Sequence, residues 1–507
     1  MKNAFLYSSA LLTLASCASE VKQQPNIVFI LADDMGYGDV SCLGAKTKLN
    51  TENIDKMASE GALFTDAHSS SSVSTPTRYG VLTGRYNWRS RLKTFVLDGY
   101  SKPLIKADRE TMASMLRRNG YTTAGIGKWH LGWEWNNMEA GRDKVDFTKP
   151  ITNGPTTRGF DYFYGICASL DMSPYVYVEN DRVTAQPNRK TVNKGKYSWW
   201  REGPTGSDFE HEQVLPNVTE RACKYIKEKA KADQPYFLYL ALPAPHTPIL
   251  PTEEFRGKSG LGEYGDFVLM VDAMVGKVMQ AVKESGEDEN TIVVFTTDNG
   301  CSPAAGLKEL QEQGHYANSI YRGHKADLFD GGHRIPCIMR WPAQIKPHKV
   351  NQTVCLTDFY ATFAAAANGQ LKDSEGEDSY NLLPAVLSEK EIAPIREATV
   401  HHSVEGYFTI RQGEWKLLLA PHSGGWSNPS PYKPEAFKDL PAVQLYNMVD
   451  DPSETKNVQA EHPEIVRKLR DLMVKYIRDG RSTPGAPQPN DTGNDWERAK
   501  EIEKIAL

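Results

Sequence analysis

The stretch NIVFILADD, at residues 26–34, decides the fold that we expect for this chain. Six apolar residues follow Asn26 without alternation, which is typical of a strand buried on both faces of a parallel sheet. Asp33 and Asp34 come next, where such a strand reaches the carboxyl edge of its sheet. Open α/β sheets bind ligands at that edge, so one stretch predicts both an architecture and the place of a site.

The alternation of strand and helix patterns continues from that stretch over roughly the first 370 residues. It predicts an α/β fold in which a large, mainly parallel sheet lies between helices. The predicted strands are residues 63–64, 122–126, 236–241, 291–296 and 335–341. The predicted helices are residues 53–61, 111–118 and 267–284.

The pattern changes in a polar stretch at residues 368–380, which is a candidate boundary. Beyond it, residues 407–411 and 415–420 predict a hairpin around Gln412-Gly413, and residues 445–446 predict a further strand. Residues 463–478 carry apolar side chains at helical spacing. We therefore expect a main domain over residues 25–375 and a smaller C-terminal α+β subdomain over residues 395–507, with an antiparallel sheet and one helix.

The composition is that of an ordinary globular protein. Of the 507 residues, 40% are hydrophobic and 24% are charged, and this length favours two domains. The formal net charge of −5 includes no basic block, which argues against nucleic acid as a partner. After the N-terminus, no apolar run reaches the ~18 residues that a membrane span needs.

The N-terminus is typical of a bacterial export signal that ends in a lipobox. Lys2 precedes an apolar stretch at residues 4–14, and Ala15-Ser16-Cys17 closes it. We expect residues 1–17 to be the signal, with Cys17 as the lipidated first mature residue; the alternative is a plain secretory peptide. This predicts an exported lipoprotein, periplasmic or on the cell surface, that meets the membrane only through its lipid anchor.

The remaining cysteines form no C-x-x-C pair, so neither a thiolate zinc site nor a thioredoxin-like motif is expected. Export permits disulfides, but the sequence determines no pairing.

Ser74 and Arg78, in the segment STPTR at residues 74–78, are candidates for an anion site. Pro76 suits the first turn of a helix, because its φ angle is already helical and it lacks an N–H group. Ser74 would then lie at the helix mouth, where free N–H groups collect anions. Arg78, one turn further on, would reach the same place with a guanidinium group. The alternative is an ordinary serine cap on a surface helix.

Polar clusters follow four of the predicted strands. Asp33-Asp34, Lys128-Trp129-His130, His246 and Asp298-Asn299 each come directly or shortly after a strand. Because the carboxyl ends of parallel strands share one edge, we expect these clusters to form a single site.

The residue types at this edge indicate the chemistry of the site. Asp33, Asp34, Asp298 and Asn299 offer only oxygen ligands, which suit calcium or magnesium and suit zinc poorly. Any one of these pairs alone could instead be a turn or a helix cap. Cationic and donor side chains around such an ion would bind a tetrahedral oxyanion ester; the candidates are Arg78, Lys128, Lys325, His130 and His246.

With these motifs in this order, the chain resembles the type I sulfatases of the alkaline phosphatase superfamily, and among them the serine-type branch. The resemblance implies an alkaline-phosphatase-like fold and a sulfatase catalytic domain over residues 25–375. The motifs that carry it lie at residues 25–39, 53–55, 74–78, 127–132, 158–161, 245–248, 297–300 and 331–336.

The resemblance implies that Ser74 is oxidised to formylglycine by an anaerobic sulfatase-maturing enzyme. Asp33, Asp34, Asp298, Asn299 and the group at position 74 are then the implied ligands of Ca²⁺, with Mg²⁺ as the alternative. One hydroxyl of the aldehyde hydrate would attack sulfur, and the second would later expel sulfate, a step that a serine alkoxide has no means to perform.

The other site residues take their implied roles from the same resemblance. His246, with Lys325 nearby, would protonate the leaving oxygen, and His130 would deprotonate the second hydroxyl. Arg78 and Lys128 would hold the aldehyde hydrate.

The implied substrate is a sulfated glycan, with galactose or N-acetylgalactosamine sulfate units favoured by resemblance to bacterial carbohydrate sulfatases. Ser169 matches a sulfate-contacting serine of the family, and further candidates for substrate contact are Asp171, His315, Arg322 and His333. His401, His402 and Trp426 could also touch a sugar, and the alternative for each is a structural or solvated side chain.

Two other functions remain open at this point. One is a phosphomonoester or phosphonate hydrolase of the same superfamily, although the dense Asp/His set for two zinc ions is missing. The other is a catalytically dead glycan-binding lipoprotein, which would keep an unmodified Ser74.

Overall fold

The computed structural model describes residues 23–192 and 195–505 of the chain. The predicted signal and Cys17 lie outside these residues. The strands are β1 (Asn26–Ala32), β2 (Ala62–Phe64), β3 (Ala67–His68), β4 (Thr122–Lys128), β5 (Tyr162–Ile166), β6 (Val178–Glu179), β7 (Arg182–Val183), β8 (Pro187–Thr191), β9 (Gly203–Gly206), β10 (Tyr236–Ala241), β11 (Thr291–Thr297), β12 (Cys337–Arg340), β13 (His348–Val350), β14 (Val354–Cys355), β15 (Thr399–His402), β16 (Phe408–Gln412), β17 (Trp415–Leu418) and β18 (Gln444–Asn447).

The helices connect and cover these strands. They are α1 (Glu52–Ser59), α2 (Ser74–Thr83), α3 (Met112–Arg118), α4 (Val214–Lys229), α5 (Glu263–Glu284), α6 (Leu307–Glu312), α7 (Asp330–His333), α8 (Phe359–Ala366), α9 (Leu383–Val386), α10 (Pro463–Asp479) and α11 (Glu497–Lys504). Among the described residues, no helix combines the length and the apolar character needed to cross a bilayer.

A ten-stranded sheet forms the centre of the molecule, in the order β13-β2-β12-β11-β1-β10-β4-β5-β6-β7. The run β11-β1-β10-β4-β5 is parallel throughout, whereas β12, β6 and β7 pair antiparallel with their neighbours. The predicted α/β fold with a large, mainly parallel sheet is therefore confirmed.

Both faces of the sheet are buried, as the unbroken apolar run of β1 predicts. Phe29 and its alternate neighbours pack against α2, α3 and α8, while Ile30 and its neighbours pack against α1, α4 and α5 on the other face. Side chains of successive strand residues point to opposite faces, so an unbroken apolar strand needs cover on both sides.

The C-terminal part contains the predicted antiparallel sheet, in the order β15-β16-β17-β18, covered by α10. Tyr86 and Trp88, from the first part of the chain, belong to the same apolar cluster. Residues 368–380, where the sequence pattern changes, include Asp378, which is fully buried. This segment therefore helps to join the two parts.

Several predicted elements match closely and others differ. Strands 26–32 and 236–241 have the predicted bounds, and helix 463–478 is one residue longer. The strand predicted at residues 335–341 covers only Cys337–Arg340 and pairs antiparallel, because it returns beside β11 from the opposite direction. Helix α4 and strand β5 were not predicted from the sequence.

Asp378 is the centre of a buried ion pair in this joining segment. Its carboxylate accepts hydrogen bonds from Arg89 Nε (2.8 Å), Arg89 Nη2 (2.9 Å) and the Tyr86 backbone (2.8 Å). Burial alone would raise the pKa of Asp378, but the Arg89 guanidinium outweighs it and lowers that pKa. The pair therefore stays ionised inside the protein.

We predict that Asp378→Asn lowers the free energy of unfolding by ~3–5 kcal/mol, because Arg89 is left buried without its counter-charge. Denaturant unfolding measures this change. The matched control is Glu389→Ala, which breaks an exposed pair with Lys346 and should cost less than about 1 kcal/mol. Equal losses in the two variants would contradict the importance of the buried pair.

Candidate active site

Four adjacent parallel strands bring the predicted polar clusters to one edge of the sheet. Asp33 and Asp34 follow β1, and Asp298 follows β11 on one side of it. On the other side, His246 lies five residues beyond β10, and His130 lies two residues beyond β4. The strand order thus gathers residues that are far apart in sequence.

Three carboxylates and an amide form the base of the site, and all four side chains are buried. Asn299 Nδ2 donates to Asp34 Oδ1 at 2.7 Å, and the Asp34 backbone N–H donates to Asp298 Oδ1 at 3.2 Å. Asp34 has a φ of +64°, in the left-handed region that few side chains other than Asn and Asp adopt readily. The backbone therefore turns sharply to aim this carboxylate.

Each carboxylate has its own cation. Lys128 Nζ lies 2.7 Å from Asp33 Oδ2, and Lys325 Nζ lies 2.8 Å from Asp34. Arg78 Nη2 lies 2.8 Å from Asp298 Oδ2. These three pairs cancel in formal charge, so the base of the site carries no excess positive charge from its own side chains.

Two buried oxygens in this group lack hydrogen-bond partners, Asp33 Oδ1 and Asn299 Oδ1. Buried polar atoms are normally paired, so orphaned oxygens beside further carboxylates fit the donor set of a hard divalent cation. Ligand atoms of Asp33, Asp34 and His246 also lie within 4.8 Å of one another. The residues present therefore fit a divalent ion, whose charge would give the site its net attraction for an anion.

Ionisation of the carboxylates agrees with this donor set. Burial alone would raise the pKa of Asp33, but Lys128 and the neighbouring cationic groups outweigh it and lower that pKa to about 2. Burial alone would lower the pKa of Lys325, but Asp34 raises it above its ordinary value. Asp33 and Lys325 are therefore charged at neutral pH.

Ser74 is the first residue of α2, and its hydroxyl lies between two predicted partners. Ser74 Oγ is 3.0 Å from His130 Nδ1 and accepts a hydrogen bond of 2.9 Å from Arg78 Nε. Every residue of α2 is buried, which explains why its sequence shows no amphipathic stripe. Gly84 ends the helix in the left-handed conformation.

His130 is held in one orientation. His130 Nε2 lies 2.7 Å from the Leu97 carbonyl oxygen, so it carries the proton and leaves Nδ1 free to accept one from Ser74 Oγ. Burial, together with the charges of Lys128 and Arg78, holds the pKa of His130 well below its usual range. A neutral imidazole with its lone pair toward position 74 is the form required of a base.

His246 and Lys325 face a cavity of about 720 Å³ that opens beside Asp34. His246 Nδ1 lies 2.6 Å from the Thr247 carbonyl oxygen, and His246 Nε2 lies 3.7 Å from Asp34 Oδ2. The cavity is lined in addition by Asp171, Lys196, Tyr197, Trp199, Ile249, Ser302, Leu307, Lys308, His324 and Trp426, among others. Its size lies within the range of small-molecule sites.

The residues predicted to contact substrate divide into two groups. Asp171 lines the cavity, and Ser169 is buried just beyond β5, near the same edge. His315, Arg322 and His333 do not line it. His315 is fully buried with Nε2 2.8 Å from Asp39 Oδ1, and Arg322 donates to the Glu454 carbonyl oxygen and packs on Phe329.

His333 belongs to a separate buried cluster with His68 and His401, whose ligand nitrogens lie within 4.8 Å of one another. The rings of His333 and His401 are stacked, with centroids 3.9 Å apart and planes inclined by 7°. Rings that pack face to face do not both direct their in-plane lone pairs at one ion. His333 is therefore packed in the interior, without a surface for a sugar.

Some residues that position the site were not predicted. Thr75 Oγ1 donates to the His130 carbonyl oxygen at 3.0 Å and accepts from the Leu97 N–H at 3.1 Å, so it joins the two segments that orient His130. Trp199 lines the cavity and was also missed. Backbone partners such as Leu97 leave no signal in the residue type, whereas Trp199 is visible as an aromatic in a polar stretch.

Comparisons with known proteins identify the family of this chain. A sequence model of the Sulfatase family matches residues 25–369. The chain is 34% identical over 491 residues to the N-acetylgalactosamine-6-O-sulfatase of Bacteroides thetaiotaomicron, covering 89% of this chain and 93% of that protein. It is 29% identical over 500 residues to human arylsulfatase A, covering 95% and 93%.

A solved structure resembles the whole fold. It is a Bacteroides thetaiotaomicron protein described with the metabolism of multiple glycosaminoglycans, with a TM-score of 0.78 and 33% identity. The match covers 89% of this chain and 99% of that one.

The oxygen ligands predict that Ca²⁺ raises the thermal midpoint of protein that has been stripped with a chelator. The free energy of unfolding should rise by about 2.7 kcal/mol when free Ca²⁺ is at ~100 times its Kd. Asp298→Asn should abolish this gain, whereas Asp272→Asn should keep it, because Asp272 is a buried carboxylate of α5 that accepts from the Ile54 N–H of α1. An Asp298→Asn protein that still gains full stability would show that the ion binds elsewhere.

Proposed function

This chain belongs to the Sulfatase family and is a sulfatase, and from that premise we propose that it removes the 6-O-sulfate of N-acetylgalactosamine units in sulfated glycans. The observation that carries the reaction is the hydroxyl of Ser74, held between Arg78 and His130 beside the group of buried oxygen ligands. The sugar and the position of the sulfate are supported by the similarity to the N-acetylgalactosamine-6-O-sulfatase.

Two groups would complete the site. A calcium ion, with magnesium as the alternative, would be held by Asp33, Asp34, Asp298, Asn299 and the side chain at position 74, and would polarise the sulfate oxygens. Formylglycine, made from Ser74 by an anaerobic sulfatase-maturing enzyme, would supply a hydrated aldehyde as the nucleophile.

The base in this proposal is His130. Its Nδ1 lies 3.0 Å from Ser74 Oγ and accepts a proton from the group at position 74, while Nε2 stays bonded to the Leu97 carbonyl. Arg78 Nε orients the same oxygen at 2.9 Å. Lys128, fixed on Asp33, adds a positive charge near His130. This arrangement places the proton acceptor within hydrogen-bond distance of the group at position 74.

The acid in this proposal is His246, with Lys325 beside it. Both line the cavity next to Asp34, and their Nε2 and Nζ atoms both approach that carboxylate. The sugar oxygen is a poor leaving group unless it is protonated. A proton donor is therefore required on the cavity side of the site. Lys325, whose pKa is raised by Asp34 despite its burial, supplies a fixed positive charge there.

Export and anchoring complete the proposal. The N-terminal pattern that ends at Cys17 supports a lipoprotein in the periplasm or on the cell surface, where sulfated glycans would reach it. The cysteines of the described residues are all free, so the fold itself requires no disulfide.

The function is tested with protein produced together with an anaerobic sulfatase-maturing enzyme. We expect inorganic sulfate to be released from N-acetylgalactosamine 6-sulfate, and the peptide that spans position 74 to be lighter by about two mass units, the mass of two hydrogen atoms. Ser74→Ala is the matched control and should neither lose mass nor release sulfate.

Other outcomes would favour the other candidates. Faster cleavage of a matched phosphate ester would favour a phosphoester or phosphonate hydrolase. An unmodified Ser74 with retained sugar binding and no turnover would favour a glycan-binding protein.

His246→Gln should slow the release of a sugar alcohol at least ~100-fold and slow an activated aryl sulfate far less, because only the poor leaving group needs a proton. The measurement is kcat for a series of sulfate esters of rising leaving-group pKa. His348→Gln, which alters a histidine remote from the cavity, should change neither end of the series. Equal losses along the whole series would contradict the role of His246 as the acid.

A further inference from the structure

Two exposed tryptophans line the cavity beside His246 and Lys325. Trp199 is 43% exposed and Trp426 is 44% exposed, although large aromatic side chains are usually buried. Trp199 lies between β8 and β9, and Trp426 lies between β17 and β18, so the two parts of the chain contribute one ring each. Exposed aromatic side chains inside a concave site are typical of ligand contact.

Trp426 is fixed to the segment that carries Lys325. The buried carboxylate of Asp327 accepts hydrogen bonds from the Trp426 N–H at 2.8 Å and, on its other oxygen, from the His324 N–H at 2.9 Å. Gly425 packs so closely on this segment that a Cβ atom would lie 2.3 Å from the Ala326 carbonyl oxygen. The backbone that carries the Trp426 ring therefore has a defined position relative to Lys325.

Trp199 is linked to the His246 side of the cavity through the side chain of Arg201. The Arg201 guanidinium lies 5.2 Å from the centre of the Trp199 ring, and its Nη1 donates to Asp171 Oδ2 at 2.6 Å. The other oxygen of Asp171 lies 3.9 Å from His246 Nδ1. Asp327 thus links Trp426 to the segment of Lys325, and Asp171 links Trp199 to His246.

Asp171 also offers an unused acceptor. Its side chain is 7% exposed, and Oδ1 has no hydrogen-bond partner. A buried carboxylate oxygen without a donor is costly unless a ligand supplies one. The hydroxyl groups of a sugar are donors of the required kind, and the apolar C–H faces of a pyranose ring pack well on aromatic rings.

We propose that Trp199 and Trp426 form an aromatic clamp that binds the pyranose rings of the glycan, with Asp171 Oδ1 accepting a hydroxyl. The clamp makes the cavity a sugar subsite in addition to the sulfate site. This inference rests on the proposed function. It assigns binding of the sugar to residues that do not touch the sulfate.

The test compares Trp199→Ala, Trp426→Ala and the double variant with the wild type in the full chain carrying formylglycine. Each single substitution should raise KM for N-acetylgalactosamine 6-sulfate about tenfold, with a smaller change in kcat, as expected for loss of an aromatic anchor. Trp426→Phe should recover most of the loss, because an aromatic face remains. The inhibition constant of inorganic sulfate should stay within about twofold, since sulfate does not reach the clamp.

Leu440→Ala is the matched control, because Leu440 is equally exposed at 44% and lies outside the cavity lining. If the wild type desulfates the sugar and the double variant keeps its KM, the clamp is wrong and the proposed function stands. If the substitutions weakened the binding of inorganic sulfate as much as that of the sulfated sugar, the clamp would also be wrong, because the substitutions would then act on the sulfate site. A wild type without sulfatase activity on any sulfated sugar would instead refute the proposed function.

Discussion

The site depends on a buried, balanced set of charges at the carboxyl edge of the sheet. Three carboxylates would repel one another at this spacing, and three cations would do the same, but each carboxylate pairs with one cation within 2.8 Å. The pairs explain how ionised side chains stay inside the protein. They also explain why the site needs a further positive charge to bind an anion, since its own charges cancel.

The sheet makes this balance possible because it orders the strands independently of sequence distance. Asp33 and Asp298 are 265 positions apart, yet β1 and β11 are hydrogen-bonded neighbours in register from Asn26 to Ala32. Helix α2 then presents Ser74 and Arg78 on one face, one turn apart. Strand order and helix period together define the position of the proposed nucleophile.

The parts of the fold and of the site that depend on a local sequence pattern were predicted from the sequence. The unbroken apolar run of β1, the polar residues directly after strands and the STPTR segment all describe local geometry, and the alkaline-phosphatase-like sheet is confirmed. The surroundings of interior histidines were harder to predict. His315 and His333 would have the same residue type whether they faced a cavity or were packed in the interior. Their environment depends on tertiary packing, which no single segment encodes.

The same reasoning explains why the wall of the cavity was the least predictable part. Trp199 and Trp426 come from loops that contact two carboxylates of the site: Asp327 accepts from the Trp426 backbone, and Asp171 binds the Arg201 side chain that packs on Trp199. The tryptophans proposed to bind the sugar are thus connected to the proposed proton donors through these two carboxylates. A relative with the same oxygen ligands but different loops would keep the chemistry and change the sugar, which is how one fold serves many substrates.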